Sequence, residues 1–525
     1  MFDILIRGGT VLDGTGRPGQ PADVGITGNR ITAIGNLTGA ESRQTLLAEG
    51  LVVAPGFIDM HSHGDDHLPF MPTADSKIHQ GITTEVVGNC GSSAAPLSEE
   101  MLDDLNRSLS KEAGEKTADW LTLGEFFDRL ERQGTSVNLA MLVGHGTIRE
   151  KVMGMSDADP TPEQLAAMQA EVRAAIEAGA IGLSTGLIYT PNVYAKTSEI
   201  IELARTAAHM GGIYTSHIRG EGNTLFEAID EALTVGRAAG IQVQISHLKA
   251  SGVKNWHKMA RAVELIEQGR EDGIDVTADL YPYPASNTGL TSLVPAWAHV
   301  GGHDRMLARL QDPACRQRIH LELSDPIDAN GVDWDGIVVS HCPLLPEVEG
   351  LNLQQISEGR KAHPVDAMLD LLVEADLQVS IIMFTIQAEN MLYGLRNRNV
   401  MIGTDGAGYS ITGPYAAGRP HPRNFGTFPR VLGRYVREQP VLSLPEAVWK
   451  MTGLPASRLR FQDRGLIREN FHADLVVFNP QTVLDTSTFE NPHQYPAGIE
   501  WVLVNGQVVI AGGQHTGARP GRIVH

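Results

Sequence analysis

Apolar and polar residues alternate through residues 1–54. In "FDILIRGGTVLDG", "ADVGITGNRITAIG" and "TLLAEGLVVAPG" glycines punctuate short runs of period two. That is the pattern of half-buried strands joined by turns. Residues 461–525 have the same texture: "HADLVVFNP", "IEWVLVNGQVVIAGG" and "GARPGRIVH" break at Asn-Gly and Gly-Gly. Chain termini commonly lie close together, so the two ends are expected to build one small β-sandwich.

The middle, residues 55–460, has a different rhythm. Short runs rich in β-branched residues are apolar throughout, as strands buried on both faces must be. They are "VVAPGFIDMH", "GITTEVVGNC", "VNLAMLVGHG", "AIGLSTGLIY", "GIYTSHI", "VQISHL", "DVTADLYPY", "VSIIMF" and "VMIGTD". Helical patterns separate them. In "TPEQLAAMQAEVRAAIEAG", Thr161 is placed as N-cap, Pro162 in the first turn, Gln164 to complete a capping box and Gly179 as the stop. Repeated strand–helix units predict an α/β chain with a (β/α)8 TIM-like barrel. Nine candidates compete for eight places, and "VSIIMF" is taken as the extra one. Residues 284–349 lose clear periodicity and read as a subdomain inserted after a barrel strand, over the active site.

Composition narrows the class. The chain has 525 residues, 42% hydrophobic, with a formal net charge of −20. That acidity argues against nucleic acid or an anionic membrane as partner. Cys90, Cys315 and Cys342 are too few for a disulfide framework. The start of the chain does not read as a signal peptide, and no apolar run approaches the ~18 residues of a membrane span. A cytoplasmic enzyme is the expectation.

The strands end on residues that chemistry uses: His61 and His63, Cys90, His145, His217, His247, Tyr283 and Asp405. In barrels, active sites lie at the C-terminal ends of the strands. A core has no use for five histidines and a cysteine there, so a metal-type constellation is expected. Singly, each has a plainer reading: Cys90 as a small buried hydrophobe, Asp405 as an Asx-turn or cap. His145 in "GHGT" fits a structural role as well as a supporting one behind the ligands. Lys249 follows His247 by two, so on a strand it would share that ligand's face.

At these residues the chain resembles the N-acyl-D-amino-acid deacylase (D-aminoacylase) family of the amidohydrolase superfamily. The resemblance runs along nearly the whole chain through "DGTG", "PGFIDMHSHGD", "GITTEVVGNCG", "GLSTGLIYTP", "GGIYTSHIRGEG", "QISHLKASG", "DVTADLYPY", "PHPRNFGTFPRVLGRYVRE", "DRGLIREN" and "ADLVVF". It implies a tight zinc site at Cys90, His217 and His247. It implies a weaker position at His61 and His63, sharing Cys90. Asp405 takes the place of the catalytic aspartate. Lys249, Tyr283 and Arg423 take the places that hold the substrate carboxylate, with Tyr189 also counted among the substrate-binding residues. One departure stands out: the loop 404–423 is longer than in the family's best-known members, which leaves the reach of Arg423 open.

The implied reaction is hydrolysis of the amide of an N-acyl-D-amino acid. Residues 284–300 offer Leu290, Leu293, Val294 and Trp297 but no lysine or arginine, so an uncharged side chain is expected. Two rival readings stand beside it. Cyclic-amide hydrolases of the hydantoinase type bridge two metals with a lysine on the fourth strand, and "AIGLSTGLIY" has none. A scaffold that had lost its chemistry would not keep every ligand.

Overall fold

The computed structural model describes residues 1–113, 117–323, 325 and 331–525. Eight short strands form one parallel sheet: β1 (Phe57–Asp59), β2 (Ile82–Val87), β3 (Asn138–Gly144), β4 (Gly182–Gly186), β5 (Ile213–His217), β6 (Val243–Ile245), β7 (Val276–Leu280) and β8 (Val400–Ile402). They pair in chain order, and β7 pairs β8. Among the described residues no ladder joins β8 to β1. The seam is closed above the strands, where Gly406–Ala407 pairs in parallel with Ser62–His63. The expected helix at Pro162–Ala178 has its capping box, and Gly179 ends it at φ 117°.

Both termini share a nine-stranded sheet. Leu475–Phe478 runs antiparallel to Val52–Pro55, which joins the two ends of the chain edge to edge. Ile4, Ile6, Val24, Ile26, Leu475, Val477 and Leu503 fill its core. The run "VVAPGFIDMH" is therefore two strands, not one. Gly56 stands between them, where a Cβ would lie 2.2 Å from the Thr83 hydroxyl. The last residues leave this sheet. Gly521 N–H donates to the Thr135 carbonyl and Val524 N–H to that of Leu139. Val524 then packs with Ile58, Val86, Leu142 and Met401 inside the barrel.

The insertion carries its own core, built around Leu290, Met306, Leu310, Ile337, Val339, Met368 and Ile381. Its sheet has three antiparallel strands, with Ser380–Met383 between Ser286–Gly289 and Ile337–His341. "VSIIMF" is thus the middle strand of the insertion. The excursion runs past residue 349 to Met383. The helices Leu353–Arg360 and Pro364–Glu374 within it are as periodic as barrel helices, which is why the sequence shows no boundary there. Among the described residues, no helix is long and apolar enough to cross a membrane.

Candidate metal centre and active site

The strand ends converge above the barrel axis. His61 follows β1, Cys90 follows β2, His217 closes β5, His247 follows β6 and Asp405 follows β8. Three of them hold a left-handed backbone: Cys90 at φ 54°, His247 at 35° and Asp405 at 49°. Such residues cost of order 1–3 kcal/mol each and persist where the surroundings enforce them. Here they do: Asp405 N–H donates to the His61 carbonyl at 2.7 Å, and His247 N–H to Asp279 Oδ1 at 2.8 Å.

Cys90 Sγ lies 3.3 Å from His61 Nε2 and 3.4 Å from His247 Nε2. Donor atoms of His61, Cys90, His247 and Asp405 all lie within 4.8 Å of one another. His217 packs edge-on to His247, ring centroids 4.3 Å apart, and neither of its buried nitrogens has a hydrogen-bond partner. Burial alone would push the Cys90 thiol up. The His61 and His247 imidazoles beside it hold it well below the usual thiol range. A buried thiolate among imidazoles, with a ring left unpartnered, is a donor set suited to zinc. Donors about 2.0–2.3 Å from one zinc stand roughly 3.5 Å apart at tetrahedral corners, close to the separations found.

Asp405 joins this cluster to a cation. Its Oδ1 is 3.2 Å from His63 Nε2, and its Oδ2 accepts from Arg423 Nη1 at 2.7 Å. The long loop therefore does deliver Arg423 to the site. Burial raises the Asp405 carboxyl, but Arg423 and His247 hold it well below the ordinary range. The Arg423 guanidinium also stacks 4.7 Å over the Tyr281 ring. A cavity of about 800 Å³ opens over these groups, walled by His63, Cys90, Tyr189, Lys249, Tyr281 and Arg423, with Thr288, Leu293 and Met383 from the insertion.

A sequence model of the amidohydrolase family matches residues 44–510. The chain belongs to that family. It is 37% identical to D-aminoacylase of Alcaligenes xylosoxydans xylosoxydans over 527 residues, all of this chain and 97% of that one. It is 38% identical to N-acyl-D-glutamate deacylase of the same organism over 525 residues, covering 100% and 96%. The crystal structure of N-acyl-D-glutamate deacylase from Bordetella bronchiseptica, complexed with zinc and a phosphonate inhibitor, matches with a TM-score of 0.84 at 35% identity, covering 99% of each chain.

Within this amidohydrolase barrel some expected residues stand elsewhere. Tyr283 does not wall the cavity: it is buried against His421 and Arg430, with its hydroxyl 3.4 Å from the Pro422 carbonyl. The tyrosine facing the site is Tyr281, whose buried hydroxyl has no partner among the described residues. His145 touches none of the cluster; it bonds Asn192 at 3.0 Å and Glu199 at 2.9 Å, in a buried group with Arg149. Tyr189 does wall the cavity and packs on His217, 5.0 Å between centroids. Lys249 walls it too, but its ammonium pairs with Glu221 and bonds the His247 carbonyl at 2.9 Å. Of the expected apolar wall only Leu293 reaches the cavity. Leu290 and Val294 fill the insertion's core, and Trp297 lies under Arg318 at 3.9 Å.

Three further residues stand against these groups and were not expected. Glu221 stands 2.9 Å from His247 Nδ1, a carboxylate that fixes the ring's orientation. Asp279, on β7, lies 3.3 Å from His61 Nδ1 and receives the His247 N–H. Lys77 lies beneath the seam, with Nζ 2.9 Å from Asp59 Oδ2 and 2.7 Å from Thr404 Oγ1. A charged residue inside an apolar strand was a signal for Asp279. Glu221 and Lys77 sit in a loop and a short helix, where charge is ordinary.

Proposed function

We propose that this chain is a zinc-dependent deacylase of N-acyl-D-amino acids with uncharged side chains. The observation that carries the reading is the meeting of two features in one cavity. A buried thiol–imidazole cluster lies beside Asp405, and Arg423 with the unpartnered Tyr281 hydroxyl lies where an anion can dock. Cys90, His217 and His247 would hold one zinc tightly. His61 and His63, with Cys90, would hold a second more weakly. Bound there, zinc supplies Lewis acidity, which polarises an amide carbonyl and acidifies water.

The protein's own groups do the rest. Arg423 offers a planar fork of donors to the substrate α-carboxylate, and the Tyr281 hydroxyl adds another. Asp405 takes the proton of the attacking water and hands it to the departing nitrogen, so that the amine leaves neutral. Glu221 holds His247 in orientation through Nδ1. The insertion contributes Thr288, Leu293 and Met383 to the cavity wall. The products are a carboxylic acid and a free D-amino acid.

Lys249 and Arg423 are the lysine and arginine of the described cavity wall, and both already face carboxylates. An acidic side chain would need another. The cyclic-amide reading is disfavoured by β4, "GLSTG", which carries no lysine. The reading puts the enzyme in the cytoplasm, where the reducing poise keeps Cys90 a thiol.

The test is hydrolysis by the zinc-loaded enzyme of N-acetyl-D-Met, -Leu, -Phe, -Glu and -Asp, the L-isomers, and N-acetyl-D-Met α-amide. Neutral D-substrates should lead and L-isomers should be very slow. Preference for N-acetyl-D-Glu would overturn the side-chain assignment. Equal rates on acid and α-amide would overturn the role of Arg423.

A further inference from the structure

A second cavity of about 450 Å³ adjoins the first. The two share Ile188, Tyr189, Thr190, Thr288, Gly289, Ser292 and Leu293, so they abut along this wall. Beyond the shared wall lie Thr291, Pro295, Ala296 and His299 of the insertion. Tyr189 and Thr288 line both cavities, and the Tyr189 hydroxyl meets Thr288 Oγ1 at 3.2 Å.

Direction around the barrel says which end of a substrate reaches this space. Asp405 follows β8 and accepts from Arg423 Nη1 at 2.7 Å, so the Arg423 guanidinium lies on that side, while Ile188–Thr190 follow β4. With strands ordered as in the chain, the fourth and eighth face each other across the axis. In an N-acyl-amino acid the carboxylate and the acyl tail lie on opposite sides of the scissile amide. An α-carboxylate on Arg423 therefore sends the acyl tail toward β4.

We infer that the second cavity is an acyl-chain subsite, and that the enzyme acts best on N-acyl-D-amino acids whose acyl group is an uncharged chain longer than acetyl. This rests on the reading under Proposed function. The wall suits such a tail. Ile188, Leu293, Val294, Pro295 and Leu323 give it carbon surface, and no lysine or arginine lies among its described residues. Burial holds His299 below its ordinary range, and its ring spans Thr190 Oγ1 at 3.3 Å and the Val294 carbonyl at 3.2 Å. The Glu322 carboxylate is taken by Trp297 Nε1 and Arg318 Nε, both at 3.0 Å. An anionic tail would meet that carboxylate, and Arg318 beside it is already paired with it. The adjoining main cavity, about 800 Å³, already lies in the range that holds drug-sized ligands, well beyond what an acetyl group fills.

The experiment uses zinc-loaded full-length enzyme and D-Met acylated with acetyl, butanoyl, hexanoyl, octanoyl and succinyl groups. Burying a methylene favours binding by up to about fourfold. kcat/KM should therefore climb about two- to fourfold per methylene as far as hexanoyl, with the succinyl compound well below butanoyl. Ala296→Phe, and separately Thr291→Phe, should flatten that climb and leave N-acetyl-D-Met within about twofold of wild type. Dissociation constants for the same series on Asp405→Asn, whose turnover should be at least ~10²-fold slower, separate the two claims. If nothing is hydrolysed by wild type, the deacylase reading fails. If affinity on Asp405→Asn does not rise with chain length, or rises equally with both plugged variants added, the subsite fails. A flat or falling wild-type series, or succinyl matching butanoyl, overturns it as well.

Discussion

Lys77→Met removes one ammonium and tests how the seam between β8 and β1 is held. Lys77 is 1% exposed. Its Nζ meets Asp59 Oδ2, Ser62 Oγ, Thr404 Oγ1 and the Gly406 carbonyl, all within 2.9 Å, and lies 3.5 Å from Glu85 Oε2. Asp59 closes β1, while Thr404 and Gly406 follow β8. Methionine keeps the length and loses the charge, leaving two buried carboxylates without a cation. Breaking a buried pair from one side costs about 3–5 kcal/mol. Glu85 tempers this, since burial already raises its carboxyl and it can take up a proton. A carboxyl raised in the folded state binds more protons there than in the unfolded chain. Its contribution to stability therefore falls as pH rises above the ordinary carboxylate range. Without Lys77 it rises further, so the deficit of the variant should widen from pH 5 to pH 8. His61 and His63 stand on one side of the seam and Asp405 on the other. Cys90, His217 and His247 come from β2, β5 and β6 and keep their frame. The variant should therefore keep its tight zinc, lose the weaker metal and drop at least about tenfold in kcat. Chemical denaturation at fixed zinc, metal analysis and steady-state rates read these three effects. A variant within 1 kcal/mol of wild type at pH 8, with both metals and full kcat, would show that Lys77 does not hold the seam.

Cys90→Ala should lose most of its zinc and its activity by metal analysis and assay; full metal with full rate would remove the thiol from the centre. Asp405→Asn should keep tight zinc while kcat falls at least ~10², the usual scale of general acid–base catalysis, and near-wild-type turnover would take the proton from Asp405. Tyr281→Phe should lower kcat/KM by about tenfold or more, the loss of one hydrogen bond to a charged group. Tyr283→Phe should leave the rate unchanged, and the reverse ranking in steady-state kinetics would restore Tyr283 to the site.

Much of the fold and site was legible because a barrel strand is apolar to its end, so that a histidine, cysteine or aspartate at its close stands out. Cys90, His217, His247 and Asp405 were singled out that way; the structure brings donor atoms of Cys90, His247 and Asp405 together with His61, and groups His217 with His247 and Glu221. The tyrosines were not separable. Period two puts Tyr281 and Tyr283 on one face, but β7 ends at Leu280 and Pro282 turns the chain, so the alternation has lapsed before either residue. The division at Gly56 was hidden for a related reason. Both halves of "VVAPGFIDMH" are buried, and an apolar run does not say which sheet it enters. Lys77 gave no signal at all. A lysine in a four-residue helix is ordinarily solvated, and only the tertiary fold buries it among carboxylates.

The left-handed turns at Cys90, His247 and Asp405 tie the fold to the chemistry. A parallel strand must stop abruptly at the barrel mouth and send its chain outward into a loop. A single residue at positive φ makes that reversal, and glycine makes it without strain. Each of these three positions carries a side chain instead, and the neighbouring backbone is pinned to hold it: Asp405 by the His61 carbonyl, His247 by Asp279, and Gly91, next to Cys90, by Ser184 Oγ at 3.1 Å. Asp279 pins His247 and also lies against His61, so one carboxylate holds the backbone of one ring and the nitrogen of another. Strain, pins and cluster are one arrangement. The backbone would be more comfortable with glycine at all three turns, and glycine at any of them would empty a corner of the site. The seam follows the same logic: where β8 and β1 lack a ladder, Asp59, Thr404 and Lys77 hold the strand ends by side chains. The barrel gives up ladder hydrogen bonds and relaxed turns at its mouth, and a thiol, imidazoles and a carboxylate meet there as a result.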